Sequence, residues 1–151
     1  MSQENQHLDQ IIKLKSNISI FKNLDDIIIE EIVTDVRFLQ FDMHEPIIIL
    51  GEEKSDIYIL LDGECRVMID NNKTVGVLKK NQVFGEFSPI TNTPRSATVK
   101  ANVPSTVLAF KINFELLDNK LNGYGVVYHN FVKELIKKLN LINWEKRKGT
   151  L

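Results

Sequence analysis

Cysteine is nearly absent from this 151-residue sequence, and its single instance, Cys65, excludes a disulfide within the chain. Cys65 lies in a stretch that reads as a strand, so we interpret it as a small buried hydrophobic side chain. Chains without disulfides are typical of reducing compartments. The sequence therefore predicts a cytoplasmic protein.

Long apolar runs and an excess of one charge are also missing. No run is long enough to span a bilayer, and the first ten residues form no signal peptide. The 19 basic and 20 acidic residues nearly balance, which gives no overall attraction for nucleic acid. The basic cluster at residues 146–148 reads as a solvated tail. Because the chain stops at Leu151, directly after its last predicted helix, we expect no DNA-recognition helix.

Catalytic and metal-binding patterns are absent as well. The three histidines, at positions 7, 44 and 129, are far apart and form no His-x-His pair. There is no Gly-x-Ser-x-Gly elbow and no Ser–His–Asp set. The sequence therefore predicts neither an enzyme nor a metal site, and no cofactor.

Short β-branched and aromatic runs separated by turn residues fill the middle of the chain. They predict strands at 37–41, 47–50, 57–61, 65–69, 74–78, 97–101 and 105–110. Cys65, Val67 and Ile69 alternate with Arg66, Met68 and Asp70, as in a half-buried strand. This many short strands favour a sandwich or jelly-roll barrel.

Helical patterns flank the strands. They predict helices at 8–14, from 27 to about 34 with Asp25 as N-cap, at 112–117, and at 126–146. In the last of these, apolar residues recur at spacings of four and three: Tyr128, Val132, Leu135, Leu139 and Ile142. This seam suits either packing on the barrel or self-association as a homodimer. It spans only about two heptads, which is too short to distinguish the two. The fold class is thus mainly β with flanking helices.

The most informative segment is residues 84–99. Gly85 lets backbone approach a ligand closely, and Arg95 offers a planar fork of donors that suits phosphate oxygens. Glu86 repels phosphate at contact, so a hydroxyl donor is the better partner for it. A helical turn over 86–91 adds free N–H groups for an anion. The alternatives are a surface Arg95 paired with Glu86, and Glu86 as a helix-terminus carboxylate.

These residues resemble the phosphate-binding cassette of cyclic-nucleotide-binding domains, which occur in catabolite activator proteins, regulatory subunits of cAMP-dependent kinase and nucleotide-gated channels. The match is Phe84, Gly85, Glu86, Phe87 and Ser88, followed by Arg95, Ser96 and Ala97. It departs at Pro89, where the family has an aliphatic residue. Proline disfavours helical dihedrals at Ser88, which predicts a shorter or tilted cassette helix.

The resemblance implies a double-stranded β-helix with N-terminal helices and a long C-terminal helix. It places an extension at 1–17 and the domain at 18–151, with the barrel at about 36–110 and C-terminal helices at about 112–148. It also implies the ligand, cAMP or cGMP. Arg95 then binds the phosphate and Glu86 the ribose 2′-hydroxyl, while backbone or hydroxyl contacts come from Gly85, Phe87, Ser88, Ser96 and Ala97.

The base is expected near Val67 and Leu78, capped by Leu139, Ile142 or Trp144. Ser96 leaves the choice between cAMP and cGMP open. The implied function is a stand-alone sensor that signals through its C-terminal helix to an effector protein. The alternative is a degenerate domain that binds protein without nucleotide.

Overall fold

Two four-stranded antiparallel sheets face one another, and helices cover the outer face of one of them. This computed structural model describes residues 3–18, 21–121 and 135. The described helices and strands, in chain order, are α1 Gln3–Lys13, α2 Asp26–Ile32, β1 Val33–Phe41, β2 Pro46–Ile48, β3 Ile57–Asp62, β4 Cys65–Ile69, β5 Lys73–Leu78, β6 Val83–Phe84, α3 Phe87–Thr91, β7 Thr98–Ala101, β8 Ser105–Ile112 and α4 Phe114–Leu121.

The strand order confirms the jelly-roll prediction. One sheet has the order β1-β8-β3-β6, the other β2-β7-β4-β5, and all neighbours are antiparallel. The chain passes between the two sheets several times, as in a double-sheet barrel. Every predicted strand is present, with bounds shifted by up to four residues. The two-residue strand β6 was missed, since Val83 and Phe84 are too few to form a pattern.

The sheet that contains β3 and β8 is buried on both faces, so these strands read as apolar runs without alternation. One face packs on the helices and forms what we term the outer core, which includes Phe21, Ile29, Ile57, Ile59, Leu108 and Phe110. The other face meets the second sheet in the barrel core: Ile48, Tyr58, Leu60, Cys65, Phe84, Val99, Val107 and Ala109. Burying each large side chain contributes about 1.5–3 kcal/mol.

Helix α2 begins one residue before the predicted position 27, and it ends two residues earlier than predicted. Asp25 occupies the N-cap position and makes no side-chain capping bond; its carbonyl accepts from the amides of Ile28 and Ile29. Ile29 and Ile32 lie three residues apart and are both buried. Strand β1 starts directly at Val33, because the chain from Val33 onward pairs with β8, beginning opposite Ile112.

The predicted alternation along β4 is wrong beyond Val67. Cys65 and Met68 are buried, whereas Val67 and Ile69 are half-buried. The register of β4 against β5 shifts between Val67 and Met68. Such a bulge turns the next side chain to the other face of the sheet.

The helices α1 and α4 differ in their bounds from the predicted helices at 8–14 and 112–117. Ile112 belongs to β8, so the predicted helix 112–117 is instead α4. Ile11 of α1 is fully buried in the outer core. The start of the domain at residue 18 stays a prediction. The predicted helix 126–146 and its seam lie outside the described residues, except that Leu135 is helical and packs half-buried against the outer core.

Candidate functional site

The segment between β6 and β7 forms a tight turn, a short helix and a return. Gly85 has φ +82°, a conformation that L side chains rarely adopt. A Cβ built there would lie 3.1 Å from the Asp56 carbonyl oxygen, 3.1 Å from Ile48 Cδ1 and 3.2 Å from Arg95 Nη1. The position therefore requires glycine for both its conformation and its space.

The Arg95 guanidinium is buried, and the protein fixes it at three points. Nη1 donates to the Gly85 carbonyl at 2.7 Å and to Ser88 Oγ at 2.8 Å, while Nη2 donates to the Asp56 carbonyl at 2.7 Å. Arg95 is only 5% exposed, so the alternative of a surface loop residue is wrong. These bonds use three of the five guanidinium donors, which orients the side chain in advance of any ligand.

The main chain of Arg95 is held by the loop between β2 and β3, residues 49–56, which we term the clasp loop. The Arg95 amide donates to the Glu52 carbonyl at 2.8 Å, and the Gly51 amide donates to the Arg95 carbonyl at 2.8 Å. Ser88 Oγ donates to the Lys54 carbonyl at 3.2 Å. The clasp loop thus binds the cassette mainly through main-chain carbonyls.

Glu86 lies beside Arg95 and is 5% exposed. It occupies the N-cap position of α3 with helical dihedrals and makes no side-chain capping bond. Burial lowers the pKa of Arg95, and the nearby carboxylates of Asp56, Glu52 and Glu86 oppose that shift. An arginine in this environment stays protonated at neutral pH. A charged Arg95 and the Glu86 side chain are thus both buried at this site.

Tyr58 completes the inner wall of the site. It is 5% exposed, and its ring stacks on Phe84 with centroids 5.2 Å apart. Burial raises the pKa of its phenol, with a further contribution from Asp56. The phenol is therefore neutral at pH 7 and adds no negative charge next to Arg95.

Proline 89 does not displace Ser88 from the helix, contrary to our expectation. Helix α3 spans Phe87–Thr91, with Ser88 inside it and Pro89 as its third residue. Amides in the first turn of a helix have no intrahelical partner, so the missing N–H of Pro89 breaks no bond. The helix ends in left-handed Asn92 at φ 53°, whose amide donates to the Ser88 carbonyl.

The remaining predicted residues divide into three groups. Phe87 and Ala97 are half-buried and Ser96 is exposed, all on the cassette. Val67 and Leu78 lie on the opposite sheet, half-buried against the barrel core that Tyr58 and Phe84 also line. The predicted capping residues Leu139, Ile142 and Trp144 lie outside the described residues.

Sequence reasoning missed the clasp loop and the charged pair behind it. Asp56 supplies a carbonyl to Arg95, and its carboxylate accepts from Arg37 Nη2 at 2.8 Å. The clasp loop read only as a turn signal at Gly51 and Glu52. Backbone acceptors leave no residue-type signature, so no pattern in the sequence could have found them.

The described ranges, residues 3–18, 21–121 and 135, contain neither a metal-binding cluster nor a membrane-spanning helix. No group of three or more His, Cys, Asp or Glu residues there is placed to hold a metal ion. Among those residues, no helix has both the length and the apolar character to cross a membrane.

Comparisons with known proteins agree on one family. Residues 38–114, 77 of the 151, match the family model for the cyclic nucleotide-binding domain. The chain is 32% identical over 111 residues to a cGMP-dependent protein kinase of Eimeria tenella, an alignment that covers 72% of this chain and 11% of the kinase.

Two solved structures show the same fold. Cyclic-AMP-bound PfPKA-R (141–441) is 25% identical with a TM-score of 0.66, covering 94% of this chain and 49% of that one. The regulatory subunit of a cAMP-independent protein kinase A from Trypanosoma brucei is 24% identical with a TM-score of 0.69, covering 100% and 52%. The chain therefore spans about half of each solved chain and about a tenth of the Eimeria kinase.

Proposed function

Because this chain belongs to the family of cyclic nucleotide-binding domains, we propose that it binds cAMP or cGMP and serves as a regulatory sensor. The observation that carries this proposal is the buried Arg95 guanidinium, which three protein acceptors orient beside the buried Glu86. A fixed cation and a nearby acid complement a ligand that carries both an anionic phosphate and a sugar hydroxyl.

Each cassette residue has a role in this proposal. The two Arg95 donors that the three bonds leave over bind the exocyclic phosphate oxygens, and Glu86 accepts from the ribose 2′-hydroxyl. Gly85, Phe87, Ser88, Ser96 and Ala97 supply main-chain or hydroxyl contacts. Val67 and Leu78 face the base. Since the protein has already ordered Arg95, nucleotide binding loses little side-chain entropy there.

Occupancy is proposed to reach an effector protein through the C-terminal helix. A ligand shifts a conformational equilibrium only if it binds the two states with different affinity. The seam from Tyr128 to Ile142 then serves as the surface that changes, either against the barrel or in a homodimer. Binding and signalling, rather than catalysis, are the proposed activity, and the domain acts as a stand-alone module.

A second candidate is a domain that keeps the barrel and binds protein without nucleotide. The observation that favours it is the number of protein acceptors on Arg95, since three hydrogen bonds also suit a purely structural arginine. The similar Trypanosoma brucei protein is described as cAMP-independent; at 24% identity that likeness bears on fold alone.

Calorimetry with cAMP, cGMP and 5′-AMP distinguishes the two candidates. We expect saturable binding of a cyclic nucleotide, with the linear 5′-AMP as the matched control for the cyclic phosphate. At a ligand concentration of about 100 Kd, the free energy of unfolding should rise by about 2.7 kcal/mol. Absence of both heat and stabilisation with every cyclic nucleotide would leave only the protein-binding candidate.

A further inference from the structure

We propose that Arg37 is a positioning residue for the nucleotide site, acting through Asp56 on Arg95. Arg37 and Asp56 lie outside the cassette and form an ion pair. The distance between Arg37 Nη2 and Asp56 Oδ1 is 2.8 Å. The proposed effect of Arg37 on nucleotide affinity rests on the function proposed above. Its effect on the order of the Arg95 side chain does not.

The sheet register brings Arg37 to the site. Arg37 on β1 is opposite Ala109 on β8, and Ala109 is opposite Tyr58 on β3. Residues directly opposite one another project to the same face of a sheet, and here that face is the barrel core. Ala109 on β8 lies between Arg37 and Tyr58, and the long Arg37 side chain reaches across that strand to Asp56.

A bulge at the start of β1 fixes the other end of this guanidinium. The register against β8 shifts between Thr34 and Arg37, and Asp35 within the shift has φ 55°. Arg37 Nη1 donates to the Asp35 carbonyl at 2.9 Å and to its carboxylate at 3.2 Å. Bulges re-aim side chains next to functional sites, and this one leaves Nη2 directed at Asp56.

Asp56 connects the two arginines through different atoms. Its carboxylate, 14% exposed, pairs with Arg37, and its carbonyl accepts from Arg95 Nη2 at 2.7 Å. Holding the side chain therefore restrains the peptide group that orients Arg95. Arg37 also neutralises a carboxylate that would otherwise repel an anion arriving at Arg95.

A partly exposed ion pair contributes little to global stability, so the effect should appear at the site rather than in the fold. Replacing Arg37 by Gln should weaken cyclic-nucleotide affinity by at least about threefold, a coupling in the usual range for contacting residues. The melting temperature should change by less than about 3 °C. Arg66→Gln is the matched control, because Arg66 is a half-buried arginine bonded to Asn102 on the opposite sheet.

A double-mutant cycle with Asp56→Ala separates positioning from direct contact. The Asp56 carbonyl survives in that variant, whereas its carboxylate does not. If Arg37 acts through the carboxylate, Arg37→Gln combined with Asp56→Ala should bind no more weakly than Arg37→Gln alone. Fully additive losses, or unchanged affinity in Arg37→Gln, would overturn the proposal.

The order of Arg95 can be measured without nucleotide. Nitrogen-15 NMR should show separate, slowly exchanging Nη–H signals for the held guanidinium, and Arg37→Gln should merge or broaden them while Arg66→Gln should not. If the parent protein binds no cyclic nucleotide, the proposed function fails and this signal alone decides the role of Arg37. Unchanged Nη–H signals in Arg37→Gln would refute it.

Discussion

The Arg95 site and the polar cluster around Glu64 use hydrogen bonds in opposite ways. Arg95 is 5% exposed and donates to two main-chain carbonyls and one buried hydroxyl. Glu64 is solvent-accessible, and its carboxylate accepts from the side chains of Lys79 at 2.6 Å and Asn102 at 3.0 Å. One network joins a buried side chain to the main chain, and the other joins side chains at the solvent surface.

The difference shows which polar groups in this fold are prepared for a ligand. A buried donor whose partner is removed costs about 1–3 kcal/mol, so the acceptors around Arg95 hold it in one orientation. An exposed pair is screened and typically contributes about 0–1 kcal/mol. Hydrogen bonds of comparable length therefore differ in how much stability is lost when one partner is removed.

Replacing Arg95 by Ala should have the largest effect. Two charge-assisted bonds to phosphate contribute about 1.5 kcal/mol or more each, so cyclic-nucleotide affinity should fall by about a hundredfold or more. Arg95→Lys is the matched control, since it keeps the charge and loses the planar fork. Calorimetric titration that gives equal affinity in Arg95→Ala and the parent would contradict the assignment of Arg95.

Gly85→Ala should destabilise the fold more than Gly51→Ala. Both glycines have positive φ, +82° and +88°, but a Cβ at Gly51 meets nothing within 4 Å. Left-handed strain alone costs about 1 kcal/mol, and the close contacts at Gly85 should bring its cost to about 2 kcal/mol or more. Urea unfolding measures both; equal losses would mean that the cassette adjusts to the added methyl group.

Ser88→Ala should have an intermediate effect. The buried hydroxyl accepts from Arg95 Nη1 and donates to the Lys54 carbonyl, so its loss should lower the free energy of unfolding by about 1 kcal/mol. We also expect about threefold weaker nucleotide binding, because Arg95 loses the Ser88 hydroxyl as an acceptor and alanine offers none in its place. Thr91→Ala, which removes an exposed hydroxyl from the same helix, should leave affinity unchanged.

Glu64→Gln should have the smallest effect, and it should depend on pH. Hydrogen bonds from Lys79 and Asn102 lower the pKa of Glu64 below its ordinary 4.5. A lowered pKa contributes stability above 4.5 that is lost as the pH falls through the folded value. The difference in melting temperature between variant and parent should be small at pH 7 and should disappear in acid. A difference that persists in acid would show that charge does not cause it.

Much of the fold was accessible from the sequence because its signals are local. Strand β4 was predicted at its observed bounds, and Asp25 marked the start of α2. The bulge after Val67 was not predicted, since it results from pairing with β5 rather than from the residues themselves. Pro89 misled for a similar reason: its effect depends on its position within the first turn of α3.

The candidate site likewise has a part that the sequence reveals and a part that depends on distant residues. Gly85, Glu86, Ser88 and Arg95 lie within eleven residues of one another, so a short motif in the sequence reveals them. Gly85 and Ser88 orient Arg95 from within the motif, and Arg37 on β1, about 60 positions away, pairs with the Asp56 carboxylate. The remaining partners of Arg95 come from the clasp loop, about 40 positions away along the chain. Their acceptors are main-chain carbonyls, which every residue carries.

By itself the sequence determined seven of the eight strands, the N-cap of α2, the cassette motif and the balance of charge, because periodicity and short motifs are properties of neighbouring residues. Only the tertiary structure decided that Arg95 is buried, that Asp56 turns its carbonyl to one arginine and its carboxylate to another, and that Arg37 lies opposite Ala109 and within reach of Asp56. Strand register and burial set these contacts, and both depend on residues far apart in the chain.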